Sequence, residues 1–237
     1  EKVLADPRSY RCEVDDLGPC TVDSPLVGRE FVSDGSRALL TTDERRLHEY
    51  AEKGIAPPAF ERAGARRKLF FSPAWTRAAI VTAGGLCPGL NDVIKGIVQI
   101  LHYEYGVRTI LGLRYGFRGL LPEYGLAPMV LTPEIVDTIH EDGGTILGSS
   151  RGNGERTVEM VDTLQRERVN MLFCVGGDGT LRGASDVADE IRRRDLPISV
   201  IGIPKTVDND LNFVGRTFGF ETAVYQTHAI ITAAHME

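Results

Sequence analysis

Of the 237 residues only four are cysteine and five are histidine, and positive charge falls short of negative, with 27 Lys and Arg against 33 Asp and Glu. Each shortage closes off a class of function. Cys12, Cys20, Cys87 and Cys174 form no CxxC pair, which removes the usual spacing of a zinc site. Cys12 and Cys20 could pair, but the default is a reduced cytosolic chain, and Cys174 within "MLFCV" reads as a small core residue. The net charge of −6 argues against general nucleic-acid binding, which needs a basic surface to displace counterions. A phosphate site built from a few local cations and backbone amides stays open. No Ser-His-Asp set is legible, and His102, His140 and His228 fall in helical patterns and read as structural. Uncharged stretches are broken by Gly and Pro and are too short to span a bilayer, and no signal-peptide pattern is legible. The first residue, Glu1, is not Met, and Glu237 falls inside a helical pattern, so both ends read as cut.

What remains is ordinary for a chain that buries a core: 42% hydrophobic and 25% charged residues, within the range of globular domains. The pattern changes near residue 75. Residues 1–75 read as an extension with long irregular stretches and one helix in "TTDERRLHEYAEKG". Its basic run "ERAGARRKLFF" reads as a solvated surface. Residues 76–237 alternate short apolar runs with amphipathic stretches. Strands are expected at 78–83, 108–114, 170–175 and 198–203. Helices are expected at 91–103, 155–167, 181–194 and 220–235, with another at 132–140, where Thr132 offers a cap and Pro133 the first helical position. The alternation predicts an α/β fold with a mostly parallel sheet flanked by helices on both faces. Ligands in such folds bind at the carboxyl ends of the strands.

Every glycine-rich or polar oddity falls at such an end: "GGLCPGLN" (84–91), "YGFRGL" (115–120), "GSSRG" (148–152), "GGDGT" (176–180) and "PKTVDND" (204–210). Glycine lets backbone amides approach a ligand, and amides at a helix start bind phosphate. One such loop is equally well a tight turn; two in one sheet favour a nucleotide. "TVDND" sharpens this. Asp208 and Asp210 form an Asx-rich turn or, with Asp178, a site for Mg2+ and a base. Phosphoryl transfer needs a cation on the phosphates, a carboxylate to take the hydroxyl proton, and fixed positive charge, which Lys205 and Arg151 can supply.

Together "GGLCPGLN", "GGTILGSSRG", "GGDGT", "PKTVDND" and "RTFGFETAV" resemble the N-terminal catalytic half of a 6-phosphofructokinase, over roughly residues 75–237. The nearest type is the long ATP-dependent form of plants, trypanosomes and some bacteria, whose N-terminal extension is similar to residues 1–75. The resemblance implies a phosphofructokinase-like, Rossmann-like fold and transfer of the γ-phosphate of ATP to the 1-hydroxyl of fructose 6-phosphate, with Mg2+. By the same resemblance, the amide of Gly84 touches the transferred phosphate, Phe117 lies beside the nucleotide, and Arg151 meets the ATP phosphates. Gly177, Gly179, Thr180 and Gly183 belong to the nucleotide site, and Asp178 is the magnesium-site aspartate. Asp208 is the general base, Thr206 and Asp210 stand on the sugar and metal side, and Lys205 assists catalysis. Gly179 leaves room for the α-phosphate of ATP, whereas Lys205 is usual in diphosphate-dependent enzymes. The combination is typical of the long ATP-dependent group. A diphosphate donor and a non-catalytic regulatory half are the alternatives. NAD and diacylglycerol kinases share "GGDGT" but lack the other motifs. The resemblance further implies a homo-oligomer, tetramer or dimer, in the cytoplasm, a glycosome or a plastid, and a C-terminal half beyond residue 237 that completes the sugar site.

Overall fold

The computed structural model describes residues 12–211 and 213–235; Glu1 and Glu237 lie outside them. The chain divides into two compact units between Phe70 and Phe71.

The first unit is built from two short antiparallel pairs around one helix. Strand β1 (Val22–Asp23) pairs with β4 (Lys68–Leu69), and β2 (Arg37–Leu39) pairs with β3 (Ala59–Glu61). Helix α1 (Glu44–Glu52) starts where the Asp43 carboxylate accepts the amides of Arg45 and Arg46, which are donors a helix start cannot satisfy internally. The strand pairs were not legible in the sequence, because two- and three-residue strands carry no measurable periodicity. The basic run is used within the unit. Arg66 donates to the carbonyls of Val32, Ser33 and Arg62, and Lys68 pairs with Asp23 at 2.8 Å.

The second unit is a five-stranded sheet in the order β7-β6-β5-β8-β9. Strands β5 (Arg77–Thr82), β6 (Thr109–Leu113), β8 (Met171–Gly176) and β9 (Ser199–Pro204) run parallel. The short edge strand β7 (Met129–Val130) is antiparallel to β6. Side chains of a strand point alternately to opposite faces, and both faces of this sheet are buried. Ala78 and Ile80 join a core with Leu90, Ile94 and Val98 of α2 (Leu90–Gln99). Ala79 and Val81 join the opposite core, with Met160, Val161 and Leu164 of α3 (Thr157–Arg166) and Val187 and Ile191 of α4 (Asp178–Arg193). This double burial is why the strands read as continuous apolar runs rather than alternating ones. Helix α5 (Phe220–His235) ends the described chain.

Three expectations need correction. The helix expected over 132–140 is a run of turns ending in a short 3₁₀ turn, Ile139–Glu141. The Thr132 cap does form, with the Ile135 amide on its hydroxyl at 3.4 Å and the Val136 amide on its carbonyl. The turn does not propagate into a helix; Lys95 of α2 donates to the Asp137 carbonyl, and Val136 and Ile139 plug into the α2 core. The helix expected at 91–103 is α2 to Gln99 and then a π-helical turn, Ile100–Glu104. Helix α4 begins at Asp178 rather than 181, so Asp178 is the first residue of a helix and not part of a loop.

Candidate active site

The strand order places the site. From β5 the chain crosses to β6 on one side, and β8 leads to β9 on the other. The connections therefore part above β5 and β8, the point where α/β sheets leave a crevice for ligands. The loop after β5 and the start of α4 after β8 stand at this point.

A cavity of about 490 Å3 opens there, lined by Gly84, Gly85, Phe117, Arg151, Lys205 and residues 177–180, 182, 183 and 186 of the Gly177–α4 segment. Gly177 caps α4, its carbonyl accepting the Thr180 and Leu181 amides at 2.9 Å. The first turn of α4, with its partial positive charge, faces the cavity. Phe117 is buried, and a Cβ on Gly183 would come within 2.8 Å of its ring and 3.1 Å of the Gly154 Cα. Gly183 thus lets the cavity floor close. Gly179 is the opposite case: it lines the cavity, and a Cβ there meets nothing within 4 Å.

Gly84 needs its glycine for conformation, with φ +88°. A Cβ placed on it lies 3.7 Å from both the Lys205 ammonium and the Thr180 hydroxyl. Its expected role changes in one respect. The Gly84 amide donates to the Ser150 carbonyl at 2.9 Å, and Ser149 Oγ donates to the Gly84 carbonyl at 2.7 Å. An amide has a single proton, so in this conformation Gly84 offers a ligand space rather than a donor. These bonds also hold the irregular segment carrying Arg151 against the glycine loop. A Cβ on Gly85 would lie 3.7 Å from the Arg151 guanidinium and 4.0 Å from the Lys205 ammonium. Two cations therefore converge on one wall. Lys205 is 7% exposed, and no carboxylate among the described residues pairs with it. An anion in the cavity would supply the two cations with a counter-charge.

Lys205 is also the hinge to the second group. Its amide bonds the Gly176 carbonyl at 2.9 Å, and the next residue begins a braced turn. Thr206 Oγ1 donates to Asp210 Oδ1 at 2.7 Å and accepts the Asp208 amide at 3.1 Å. Asn209 takes a left-handed conformation, φ 54°, and its Oδ1 accepts the Thr217 amide at 2.8 Å. Asp208 is exposed and lines a different cavity, of about 550 Å3, between this turn and Ala223, Val224, Thr227 and His228 of α5. The expected residues thus form two sets. Gly84, Phe117, Arg151, Gly177, Asp178, Gly179, Thr180, Gly183 and Lys205 share the first cavity. Thr206, Asp208 and Asp210 lie on the adjoining turn. Cys87, buried below, senses both: burial pushes its thiol up, Lys205 opposes this and Asp208 adds to it.

The profile of the phosphofructokinase family matches residues 77–237. The chain belongs to the phosphofructokinase family. It is 47% identical over 230 residues to the ATP-dependent 6-phosphofructokinase of Borreliella burgdorferi, covering 95% of this chain and 51% of that protein. It is 48% identical over 213 residues to the ATP-dependent 6-phosphofructokinase of Trypanosoma cruzi, covering 89% of this chain and 44% of that protein. Among solved structures, the pyrophosphate-dependent phosphofructokinase of Marinobacter aquaeolei superposes with a TM-score of 0.53 at 25% identity, over 61% of this chain and 37% of that one. The chain spans about half the length of the curated relatives it matches.

Arg182, Asp186 and Glu155 also line the first cavity and were not singled out from sequence. The signal was present for the first two. Positions 179, 182, 183 and 186 follow the helical period, so once α4 starts at Asp178 they share the face that Gly179 presents. Among the described residues no cluster of three His, Cys, Asp or Glu could hold a metal, and no helix is long and apolar enough to cross a membrane. All four cysteines are free.

Proposed function

We propose that the full-length protein transfers the γ-phosphoryl group of ATP to the 1-hydroxyl of fructose 6-phosphate, and that the unit from about residue 76 carries the donor side of this chemistry behind an extension of residues 1–75. The observation that carries the reading is the convergence of the Arg151 guanidinium and the Lys205 ammonium on one wall of a glycine-lined cavity beside the Asp208 turn. Family membership narrows the chemistry to sugar-phosphate phosphorylation.

In this reading the triphosphate lies along the first cavity. Arg151 and Lys205 hold its charge, the first turn of α4 offers open amides, and Phe117 with Gly183 backs the nucleotide. Asp208 accepts the proton of the 1-hydroxyl, whose oxygen bonds to the γ-phosphorus while the bond to the β,γ-bridging oxygen breaks and ADP leaves. Lys205, between the two groups, offsets charge on the migrating phosphoryl. Thr206 and Asp210 shape the sugar side.

The residues fit Mg2+. Asp178 makes no ion pair among the described residues and lines the cavity, and Mg2+ is commonly held by one or two carboxylates together with substrate phosphates. When bound, it neutralises charge on the phosphate oxygens. Among the donors, ATP is favoured over diphosphate. The space beside Gly179 is open, and the relatives at 47% and 48% identity are named ATP-dependent. The protein is further proposed to act as a homo-oligomer in the cytoplasm. The test is to incubate full-length protein with fructose 6-phosphate, ATP and Mg2+ and follow the products by phosphorus NMR. Fructose 1,6-bisphosphate and ADP are expected; ATP hydrolysis without sugar phosphorylation, or no turnover, would refute the reading and favour a regulatory half.

A further inference from the structure

The two groups of site residues are not bonded to each other through the chemistry they carry. They are joined at Lys205, whose amide bonds the Gly176 carbonyl, and through a third segment, Thr217–Gly219, that no substrate is proposed to touch. On one side Thr217, 5% exposed, donates its hydroxyl to the Thr206 carbonyl at 2.9 Å and its amide to Asn209 Oδ1 at 2.8 Å. These bonds bracket Asp208. On the other side the Cys87 thiol, 2% exposed, donates to the Phe218 carbonyl at 3.2 Å. A Cβ on Gly219, where φ is +82°, would overlap the Pro88 carbonyl and stand 2.6 Å from Cys87 Sγ. A Cβ on Gly89 would stand 3.2 Å from the Phe218 ring. Three adjacent residues thus grip the glycine loop with one edge and the Asp208 turn with the other.

We propose that Thr217, with Cys87 opposite it, is a positioning residue that sets the Asp208 turn at a fixed distance from the glycine loop. The inference rests on the proposed phosphoryl transfer, in which a base on one loop must meet a phosphate held by the other. The Lys205 amide on the Gly176 carbonyl fixes where the Asp208 turn begins; its internal bonds, Thr206 to Asp210 and to the Asp208 amide, brace its shape but not the place of its far side. Thr217→Val keeps the volume and removes the hydroxyl, leaving the buried Thr206 carbonyl without that donor. Thr217→Ser keeps the hydroxyl. Cys87→Ala loosens the other edge.

The experiment uses full-length protein. Steady-state kinetics with fructose 6-phosphate and ATP are combined with hydrogen–deuterium exchange over residues 204–211. A displacement of about 1 Å costs on the order of 10²-fold in rate, so T217V should lose kcat on that scale with KM for ATP nearly unchanged. Exchange in the turn should speed up, and T217S should restore both. C87A should lower kcat in the same direction by less. Wild-type kcat in folded T217V, or kcat and KM for ATP changing together with no rescue by T217S, would overturn the proposal. If T217V does not fold, C87A and T217S decide it: unchanged kcat and exchange in C87A overturns it, and lowered kcat with faster exchange at 204–211 supports it. If the wild type phosphorylates no sugar, the functional reading fails, and the exchange comparison still decides whether the segment holds the turn.

Discussion

The loop from β8 into α4 and the turn after β9 stand side by side, since Gly176 pairs with Pro204, yet they are held in different ways. The first is held by backbone. Gly177 caps the helix with its carbonyl, and Gly183 seats the helix on Phe117 and Gly154. The second is held by side chains: Thr206, Asp210, Asn209 and Thr217 bond around Asp208. The difference matches what each has to hold. In the proposed reading the first holds a polyanion, which needs room and open amides, and glycines at 177, 179 and 183 leave that room. One carboxylate needs a direction, so hydroxyls and an amide side chain brace it. Substitutions should therefore harm the two in different ways: in the first by adding atoms, in the second by removing a functional group.

The largest effect is expected at the second. Asp208→Asn keeps the shape of the side chain and removes the proton acceptor, so kcat should fall by about 10²–10⁴-fold while binding of a fluorescent ATP analogue stays unchanged. Near-normal turnover would show that the turn holds something other than the base.

At the start of α4, Asp178→Ala should raise the Mg2+ concentration needed for half-maximal rate. Loss of even an outer-sphere partner weakens metal sites by about 10–100-fold. The fold should persist, since losing an exposed acid at a helix start costs at most about 1 kcal/mol. Unchanged metal dependence with a lowered melting temperature would make Asp178 a helix-start residue alone.

Gly183→Ala tests the claim that adding atoms is what harms this loop. The new methyl would sit 2.8 Å from the Phe117 ring, and overpacking of this kind costs about 1–3 kcal/mol. Lower thermal stability and a raised KM for ATP are expected, with kcat little changed; wild-type stability and KM would mean the cavity floor has slack.

The smallest effect lies at the far end of α4, away from both. Glu190 is held by Arg193 and Arg194, with bonds of 2.6–2.8 Å, and these pull its carboxyl down to about 2. The ordinary glutamate value is about 4.3. The stabilisation is therefore complete above that value and is lost as pH falls through the folded value. Wild type should lose more of its melting temperature than Glu190→Gln between about pH 4.5 and 2, with both behaving alike in slope near neutrality.

The same contrast explains what was legible in the sequence. The four parallel strands and helices α2 to α5 could be read because double burial and amphipathic period leave strong local patterns. The glycine loops could be read because they interrupt those patterns at strand ends. At residues 132–140 the capping signal is local and the cap forms, whereas the core into which Val136 and Ile139 pack is supplied by α2, some forty residues earlier. The occupied Gly84 amide was hidden for a like reason, since its acceptor, Ser150, lies 66 residues on. Thr217 lies in the quoted "RTFGFETAV" motif, yet its bonding role left no signal. A threonine in "RTFGF" reads like any other, and its importance comes from two bonds to a turn eight to eleven residues earlier.

The central claim is that the backbone-held loop leaves room for a nucleotide. It is tested most directly by kcat/KM for ATP and for diphosphate in the full-length wild type and in Gly179→Asp. No atom lies within 4 Å of a Cβ at position 179, so the variant should fold normally and place a carboxylate in the cavity. The wild type should prefer ATP, and the variant should lose most of its ATP efficiency while its diphosphate activity changes far less. A wild type that prefers diphosphate, or a variant that keeps its ATP efficiency, would contradict the account.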